Sequence, residues 1–432
     1  MSFAFHAAPP PGEWCNDPNG LAFAHGAWRL FVQHSVAAPD FGEIGWARLS
    51  SADLLHWNWD GPVIPSDNLG QAYSGSVVAG DETLSAYLTR HDGAIQRQVS
   101  LTSEDAGASW RQGEPLGPEG RNVRDPFVFY CAATGDWRML VAEPCDWNEW
   151  ASEAPSTLGV WRLERDSWRF VARIGPWMEP GVMWEMPRLV DFGSHQALIV
   201  STVDRRHGRA ACAVRYWLGQ FDGANFSVAT AGDGLLLDHG PDFYAAIVDS
   251  PAPASPTSAS LTSVSPTSAS PTSASPTTAS EARMLVAWAS NWDTARSMAW
   301  PGGGCGGPMT LPRLLSLDRA SGRLMQRPVA GIEPAGVFSW DGQAPKVVTL
   351  VGEDAELSLA FDRRGLHVRR RGLRGLGGLL DWERSAADAF ADEQAQTIGI
   401  FNDAGLIEVF VAPAGLTVTA FVPGARLQAT SV

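Results

Sequence analysis

The chain has 432 residues, a formal net charge of −15 and a pI near 5.0. This length exceeds the usual size of one compact domain, so we expect two domains, or one large β-domain with an appendage. The acidic balance argues against a nucleic-acid partner, whose phosphates would require a basic stripe that this chain lacks. A small neutral substrate suits this charge better.

The N-terminal segment from Met1 to His6 has no basic region followed by an apolar core, and no later stretch reaches the apolar length of a membrane span. We therefore expect a cytoplasmic protein with no membrane partner; a leader outside this sequence is the alternative. The cysteines lack both Cys-x-x-Cys metal spacing and the density of a disulfide framework, which predicts free thiols. They are Cys15, Cys131, Cys145, Cys212 and Cys305.

The first segment with chemical interest is Trp14 to Gly20, which precedes the strand-like run Leu21 to Phe23. It favours a tight turn, because Pro18 fixes its own φ and the following Asn-Gly pair tolerates positive φ. Taken alone, it is as consistent with a simple hairpin as with a site built around Asp17. Two later segments also place an acid near a proline: Arg124-Asp125-Pro126 and Trp184-Glu185-Met186-Pro187.

Short runs of Val, Ile, Phe, Trp and Tyr recur between Gly, Pro, Asp and Asn turns, and helical periodicity is hard to find, which predicts an all-β fold. A weak repeat consists of an acid-containing turn closed by an aromatic residue. These aromatics are 53 to 58 residues apart in the numbering: Trp57, Trp110, Trp168 and Phe226. The spacing accommodates about four strands with their turns, the size of one propeller blade.

A fifth unit is expected to close near Leu317 to Leu324. Asp17, Asp125 and Glu185 lie 40, 43 and 41 residues before the aromatics that close their units. We therefore expect the three acids to hold equivalent places on the first strands of blades one, three and four. Because the first strand of a propeller blade lines the central channel, the acids are predicted to converge there.

Residues 251–280 form a Ser, Pro, Thr and Ala tract with a five-residue period. Such a composition cannot bury enough apolar surface to offset its ordering entropy. We predict a disordered surface insertion between two strands of the fifth blade, Phe243 to Val248 and Met284 to Trp288. A glycosylated mucin-like stalk is the less favoured alternative.

From about Gln326 the repeat disappears and alternating strands follow, which predicts a β-sandwich. The predicted domains are thus a propeller over residues 1–325 and a short sandwich over residues 326–432. The basic run from Arg363 to Arg371 is interpreted as a solvated hairpin rather than a binding patch.

Three carboxylates in one water-accessible channel repel one another, so one should keep its proton near neutral pH while another is ionised. Retaining glycoside hydrolysis uses this division, since one carboxylate attacks the anomeric carbon and another acid protonates the leaving oxygen. Several of the 19 tryptophans are expected to stack on sugar faces, and most belong to the core. None of the nine histidines is paired with these acids at ligand spacing, so we predict neither a metal nor a cofactor.

An ordered set of motifs along nearly the whole chain resembles glycoside hydrolase family 32, the β-fructofuranosidases that include invertases, levanases and inulinases. The motifs are Trp14 to Gly20, Leu30 to Gln33, Trp46 to Trp57, Tyr73 to Ser76, Arg124 to Pro126, Trp184 to Pro187, Asp242 to Ala245 and Gly307 to Arg313. The resemblance implies an all-β architecture, a five-bladed β-propeller followed by a C-terminal β-sandwich. The repeat spacing agrees with it.

The resemblance also implies roles for the acids. Asp17 looks like the nucleophile that forms a fructosyl-enzyme intermediate, Glu185 like the general acid/base, and Asp125 like the residue that stabilises the transition state through fructose hydroxyls. The predicted substrate-binding residues are Asn16, Gln33, Phe41, Trp46, Ser74, Arg124 and Tyr244.

The chain departs from the family pattern at several positions. Met186 and Arg188 stand where the family usually has Cys and often Asp, and Phe41 replaces the usual Trp. The sandwich is short for the family, from which we hypothesise an exposed face covered in a homo-oligomer.

We predict a retaining exo-acting β-fructofuranosidase whose partner is a small sugar, chiefly sucrose and short fructo-oligosaccharides. A fructan exohydrolase or a fructosyltransferase is the alternative within the family. A related five-bladed arabinan or xylan hydrolase fits the motifs less well. A sugar-binding propeller without activity is less favoured, because such a protein should have lost one of the three acids.

Overall fold

The computed structural model describes residues 2–36, 41–145, 154–165, 167–206, 210–229, 232–249, 282–375, 378–379, 381–387, 390 and 395–431. Regular structure in these ranges is β-strand, apart from one 3-10 turn at Pro301–Gly303, so the predicted all-β class is confirmed. Nothing helical in them has the length and apolar character needed to cross a membrane. The five cysteines are free thiols, as predicted. The predicted insertion at 251–280 lies outside the described residues.

The first twenty-one strands form five antiparallel sheets, each built from strands that are consecutive in the chain. Sheet 1 contains β1 (Trp14–Ala24), β2 (Ala27–Ser35), β3 (Gly45–Ser51) and β4 (Asn58–Ile64). Sheet 2 contains β5 (Gln71–Ala79), β6 (Leu84–His91), β7 (Gln96–Ser103) and β8 (Arg111–Gly120). Sheet 3 contains β9 (Arg124–Cys131), β10 (Asp136–Glu143), β11 (Thr157–Glu164) and β12 (Ser167–Ile174).

Sheet 4 contains β13 (Val182–Asp191), β14 (Gln196–Asp204), β15 (Ala211–Phe221), β16 (Phe226–Val228) and β17 (Leu235–Leu236). Sheet 5 contains β18 (Tyr244–Val248), β19 (Arg283–Trp288), β20 (Arg313–Asp318) and β21 (Arg323–Pro328). The two strands predicted to flank the insertion are β18 and β19, which pair with each other. Sheet 5 ends at Pro328, beyond the domain boundary predicted after residue 325.

The acid-containing turns of the repeat join the third and fourth strands of their sheets. In sheet 1, the Asp53 carboxylate accepts the backbone N–H groups of Leu55 and His56, and the Trp57 indole donates to the Leu54 carbonyl at 3.1 Å. Trp110 closes the corresponding turn of sheet 2 in the same way, through the Gly107 carbonyl at 3.1 Å. The repeat is thus a turn in which an acid caps free N–H groups and an aromatic ring covers the turn.

The first strands of the five sheets contact one another in a closed order, β1 to β5 to β9 to β13 to β18 and back to β1. We call these five strands the inner ring. Each carries a β-bulge, at which three residues of the inner strand advance against two of its neighbour. A bulge bends a strand and redirects its side chains, so the inner ring is irregular at one level in all five sheets.

Apolar side chains between neighbouring sheets hold this arrangement together. Phe31, Trp46 and Leu88 belong to a core shared by sheets 1 and 2, and Leu140 and Trp217 to one shared by sheets 3 and 4. Full burial of one such side chain contributes about 1.5–3 kcal/mol. The middle strands β10, β14 and β19 are buried on both faces, so they read as apolar runs rather than as alternating patterns.

The remaining strands form two further sheets and a small hairpin. The strands are β22 (Gly336–Trp340), β23 (Lys346–Val351), β24 (Glu356–Asp362), β25 (Gly365–Arg371), β26 (Arg374–Gly375), β27 (Gly378–Leu379), β28 (Trp382–Ala387), β29 (Gln396–Asp403), β30 (Leu406–Ala412), β31 (Leu416–Phe421) and β32 (Arg426–Ser431). One sheet has the order β22-β29-β30-β31, and the other β28-β25-β24-β23-β32. They share one core, which includes Trp340, Leu357 and Val409.

A buried polar network joins these C-terminal sheets to sheet 5. Arg313, which has no exposed surface, donates to Glu408 at 2.5 Å and to Asp238 at 3.0 Å. Asp242 accepts bonds from Arg370 and from the Phe421 backbone N–H. The interpretation of Arg363 to Arg371 as a solvated hairpin is therefore wrong for Arg370, which is buried against the Asp242 carboxylate just before β18.

His6 extends the same network. Its Nδ1 lies 2.8 Å from Asp403 and its Nε2 lies 2.9 Å from Glu408, so a doubly protonated ring can donate to both carboxylates. Burial lowers the pKa of His6, but the hydrogen bonds to Asp403 and Glu408 outweigh burial and raise it above 6.5. The imidazolium is the form that this site stabilises.

We expect the stability of the protein to decline above pH 6.5 because of His6. A raised pKa in the folded state contributes stability that is complete below the unfolded value and is lost as pH rises through the folded value. The free energy of unfolding of the wild type should therefore fall relative to that of His6→Gln between pH 6 and pH 9. His56→Gln, at an exposed histidine, is the matched control. Parallel curves for the wild type and His6→Gln would contradict the expectation.

Candidate active site

The predicted acids all lie on strands of the inner ring. Asp17 is on β1, Asp125 on β9 and Glu185 on β13. Asp17 and Asp125 are almost fully buried, and the Glu185 side chain is 14 % exposed. The charges of Glu185 and Asp125 both act on Asp17, so the inner ring brings the three together. We call Asp17, Asp125 and Glu185 the acid cluster.

The two oxygens of Asp17 have different surroundings. Oδ2 accepts a hydrogen bond from the Ser74 hydroxyl at 2.8 Å, whereas Oδ1 is buried without a hydrogen-bond partner among the described residues. Burial, followed by the charge of Glu185, raises the pKa of Asp17 to about 7, and the Ser74 bond opposes this rise. A desolvated carboxylate oxygen with no donor is a stronger nucleophile than a hydrated one.

Asp125 is held from two sides. Its backbone N–H donates to the Thr89 hydroxyl at 3.0 Å, and its Oδ2 accepts the Met186 N–H at 3.0 Å. Asp125 and Met186 both have positive φ, 60° and 52°, which the bulges of β9 and β13 impose. Burial and the charge of Glu185 raise the pKa of Asp125 to about 6, while Arg124 acts in the opposite direction.

Glu185 is bound by a cation and a phenol. Arg124 Nε and Nη2 donate to Oε1 at 3.0 and 2.8 Å, and the Tyr244 hydroxyl donates to Oε2 at 2.5 Å. These contacts fix the carboxyl group at the edge of the cluster, where part of it is exposed. A carboxyl group so oriented can pass a proton to, or take one from, a bound molecule.

The strand register shows why these three side chains meet. Arg124 pairs with Ala142, Glu185 with Ser201 and Tyr244 with Trp288, in each case immediately before the bulge. Arg124, Glu185 and Tyr244 are therefore equivalent positions of sheets 3, 4 and 5. The expectation that the three acids hold equivalent places was wrong by one residue in each direction, since Met186 rather than Glu185, and Asn16 rather than Asp17, takes the place of Asp125.

Two of the predicted substrate-binding residues are linked beside Asp17. The Asn16 side-chain Nδ2 donates to Gln33, and the Asn16 side-chain Oδ1 accepts the Trp14 indole N–H at 2.8 Å. Asn16 and Tyr244 have no exposed surface, and Tyr244 contacts the cluster directly through its hydrogen bond to Glu185. Gln33 is 3 % exposed.

Trp46 is not a sugar contact in this structure. It has no exposed surface, packs in the core shared by sheets 1 and 2, and donates its indole N–H to the Tyr73 carbonyl at 3.0 Å. The reason is its place on β3, an interior strand of sheet 1, whose side chains face neighbouring sheets. Trp46 is corrected to a core residue that fixes the backbone next to Ser74.

Phe41 lies in an aromatic cluster that the sequence reasoning largely missed. Its ring is 5.7 Å from both Tyr73 and Trp292, measured between centroids, and 6.4 Å from Trp14. Phe41, Tyr73 and Trp292 are partly exposed, unlike Trp46. The position of Tyr73 immediately before Ser74 could have indicated it, but no local signal distinguishes Trp292 from the other tryptophans.

In the described part of the chain, no group of three or more His, Cys, Asp or Glu side chains is arranged to hold a metal ion. The absence of a metal and a cofactor stays a prediction. The arrangement itself offers a desolvated carboxylate, an oriented carboxyl group and a third acid within one cluster. This set suits displacement at an acetal carbon with proton transfer to the leaving oxygen.

Comparison with known proteins gives a consistent result. Residues 6–252 match the model of the glycosyl hydrolases family 32 N-terminal domain. The raffinose invertase of Escherichia coli is 28 % identical over 455 residues, which cover 94 % of this chain and 86 % of that protein. The sucrose-6-phosphate hydrolase of E. coli is 30 % identical, covering 75 % of this chain and 64 % of that protein.

The extracellular exo-inulinase of Aspergillus awamori is 28 % identical over 55 % of this chain, and the chain spans about half of its length, 52 %. Among solved structures, the exo-inulinase of A. awamori superposes with a TM-score of 0.71 at 20 % identity, covering 99 % of this chain and 95 % of that one. The sucrose-6-phosphate hydrolase of Lactobacillus gasseri gives 0.72 at 18 % identity, with 99 % and 90 % covered. At such identities the structural likeness establishes the fold alone.

Proposed function

The chain belongs to glycosyl hydrolases family 32, and we propose that it hydrolyses terminal non-reducing β-D-fructofuranosides with retention of configuration. The observation that carries the proposal is the acid cluster, in which one carboxylate has an oxygen without a donor and another carboxyl group is held by Arg124 and Tyr244. Retaining glycoside hydrolases need one carboxylate as the nucleophile and a second carboxyl group as the general acid.

In the proposed first step, Asp17 Oδ1 attacks the anomeric carbon of the fructosyl unit while Glu185 protonates the glycosidic oxygen. The bond to the leaving group breaks, and a fructosyl ester of Asp17 forms. Asp125 accepts hydrogen bonds from fructose hydroxyls and so stabilises the oxocarbenium-like transition state.

In the proposed second step, Glu185 removes a proton from water, which attacks the same carbon and releases fructose from Asp17. Two inversions at one carbon give net retention. Arg124 and Tyr244 keep Glu185 in place during both proton transfers, and Ser74 keeps Asp17 Oδ2 turned away from the substrate. Gln33 and the aromatic side chains Phe41, Tyr73 and Trp292 are the proposed walls of the sugar pocket.

The finer fold that we propose is a five-bladed propeller followed by a β-sandwich. The closed contact order of the inner ring supports the propeller, and the core shared by the two C-terminal sheets supports the sandwich. Sheets 1 to 5 are then the blades, and the acid cluster lies in the central channel. The boundary between the two proposed domains follows Pro328.

Sucrose and short fructo-oligosaccharides are the substrates that we propose. The alignment with the raffinose invertase extends over most of both proteins, whereas the alignment with the exo-inulinase covers about half of each. The fructan exohydrolase remains the second candidate, because levanase and exo-inulinases are among the relatives.

We expect the purified protein to release fructose from sucrose and raffinose faster than from levan or inulin. Chromatography of the sugars after incubation with each substrate measures this, and NMR of the first-formed fructose gives its anomeric configuration. Faster release from levan or inulin would favour the fructan exohydrolase, and longer fructosyl products would indicate transfer. No release of fructose from any of them would overturn the proposed function.

A further inference from the structure

Arg188 is a buried cation for which the proposed chemistry has no assigned use. It lies on β13, on the same strand as Glu185, and is 1 % exposed. Its Nη1 donates to the Pro187 carbonyl at 2.7 Å and its Nη2 to the Gly75 carbonyl at 2.8 Å. The guanidinium carbon lies 5.1 Å from the centre of the Phe127 ring. Within the described ranges, its hydrogen bonds go to neutral carbonyl oxygens rather than to a carboxylate.

The bond to Gly75 spans the inner ring. Arg188 belongs to sheet 4 and Gly75 to β5 of sheet 2, and sheet 3 lies between these two in the contact order of the ring. The Gly75 backbone is tightly enclosed, since a Cβ atom there would lie 1.9 Å from the Tyr87 carbonyl oxygen. Arg188 therefore hydrogen-bonds to a tightly packed backbone segment in a sheet that is not its neighbour in the ring.

That piece of backbone also holds Asp17. The Gly75 N–H donates to the Asn19 side chain at 3.1 Å, and the preceding residue, Ser74, donates to Asp17 Oδ2. A shift of the Gly75 carbonyl would move both contacts to β1. Arg188 is thus connected to the proposed nucleophile through one residue of backbone.

Charge supports the same connection. The carboxylates of Asp125 and Asp17 both favour the charged form of Arg188, and burial lowers the pKa of Arg188 only to about 10, so it stays protonated at neutral pH. The attraction is mutual, so Arg188 favours the ionised forms of Asp17 and Asp125. Removal of a buried cation near a carboxylate raises the pKa of that carboxylate.

The other charged groups near Asp17 and Asp125 are either acids or, like Arg124, hydrogen-bonded to Glu185. Asp17 faces Glu185, Asp125 and Arg188, and Asp125 faces Glu185, Arg124 and Arg188. Arg124 is committed to Glu185 by two hydrogen bonds. Burial raises the pKa of Tyr244 well above 10, so its phenol is neutral.

We infer that Arg188 is a positioning residue of the hydrolysis: its guanidinium spans the inner ring, holds the Ser74-Gly75 backbone against Asp17, and supplies a positive charge that favours the ionised forms of Asp125 and Asp17. This inference rests on the proposed function, since it assigns Arg188 to the same acid cluster. It predicts an effect on the pH dependence of the reaction as well as on its rate.

The test is the pH profile of kcat/KM for sucrose. In the wild type, kcat/KM should rise with pH through about 7 as Asp17 loses its proton; the apparent value belongs to the coupled cluster. In Arg188→Met this rising limb should move up by about one pH unit. The loss of activity should then be about fivefold greater at pH 6 than at pH 8. In Arg188→Lys, which keeps the charge, the rising limb should lie close to its wild-type pH.

Arg90→Met is the matched control. Arg90 is similarly buried, at 2 % exposure, and donates to the Pro65 carbonyl at 2.7 Å in sheet 2. Any general loosening should lower its kcat/KM equally across the pH range. If Arg188→Met does not fold, Arg188→Gln is measured instead, with the same expected shift.

An unmoved limb in a folded, charge-free Arg188 variant would overturn the inference, as would an equal shift in Arg188→Lys. Failure of the wild type to release fructose would instead overturn the proposed function. The two failures are therefore distinguishable.

Discussion

Replacement of Asp17 by asparagine is expected to reduce kcat for sucrose by about 10⁴-fold or more. Asparagine has nearly the same shape and can still accept the Ser74 hydrogen bond through its carbonyl oxygen. What it lacks is the anionic oxygen that forms the ester with the anomeric carbon. A loss of this size without a loss of folding would separate covalent catalysis from binding.

Steady-state hydrolysis of sucrose measures the effect, and the melting temperature checks the fold. Asp81→Asn is the matched control, because Asp81 is exposed in the turn between β5 and β6. We expect the control to retain wild-type kcat. Turnover of Asp17→Asn within tenfold of the wild type would remove Asp17 from the mechanism.

Replacement of Glu185 by glutamine is the second large effect, and it should depend on the leaving group. With sucrose, kcat should fall by about 10²- to 10⁴-fold, because the glycosidic oxygen departs without a proton. With an aryl β-fructofuranoside, whose leaving group is a weak base, the first step should be nearly unaffected. Glutamine keeps the shape of the side chain and can still contact Tyr244.

The second step also distinguishes Glu185 from Asp17. Water needs a general base, but azide does not, so added azide should accelerate turnover of the aryl substrate by Glu185→Gln and give a fructosyl azide. Asp17→Asn should not respond. Glu82→Gln, at an exposed acid in the same turn as Asp81, is the control. Equal losses with both leaving groups and no response to azide would contradict the acid/base role.

The sequence was sufficient to predict the all-β class and the strands that carry the acids. Evenly spaced acid-containing turns are local features, so the repeat could be read without a structure. The bulges could not be predicted, because the amino-acid composition of β9 or β13 does not reveal that the strand contains an extra residue. The register was therefore wrong by one residue, and the equivalence of Arg124, Glu185 and Tyr244 became apparent only from the strand pairing.

Residues whose partners are distant in the chain were the least predictable. Arg370 meets Asp242 across 128 residues of sequence, and nothing in the basic run distinguishes Arg370 from its solvated neighbours. Trp46 lies in a motif shared with the family, but the burial of its strand, rather than the motif, decides what the side chain contacts. Arg188 bonds to Gly75 across 113 residues, for the same reason invisible to local reasoning.

The Asp242 contacts show how strongly the C-terminal sheets depend on the preceding five sheets. Asp242 precedes Tyr244 by two residues, and its carboxylate is held by Arg370 and Phe421 of the C-terminal sheets. Without those sheets, Asp242 would lose Arg370, Arg313 would lose Glu408, and Asp238 would lose two threonine hydroxyls, all beside the strand whose Tyr244 contacts Glu185. The C-terminal sheets are thus not an accessory module that could be exchanged or deleted, and chimeras of this protein must keep both sides of that interface together.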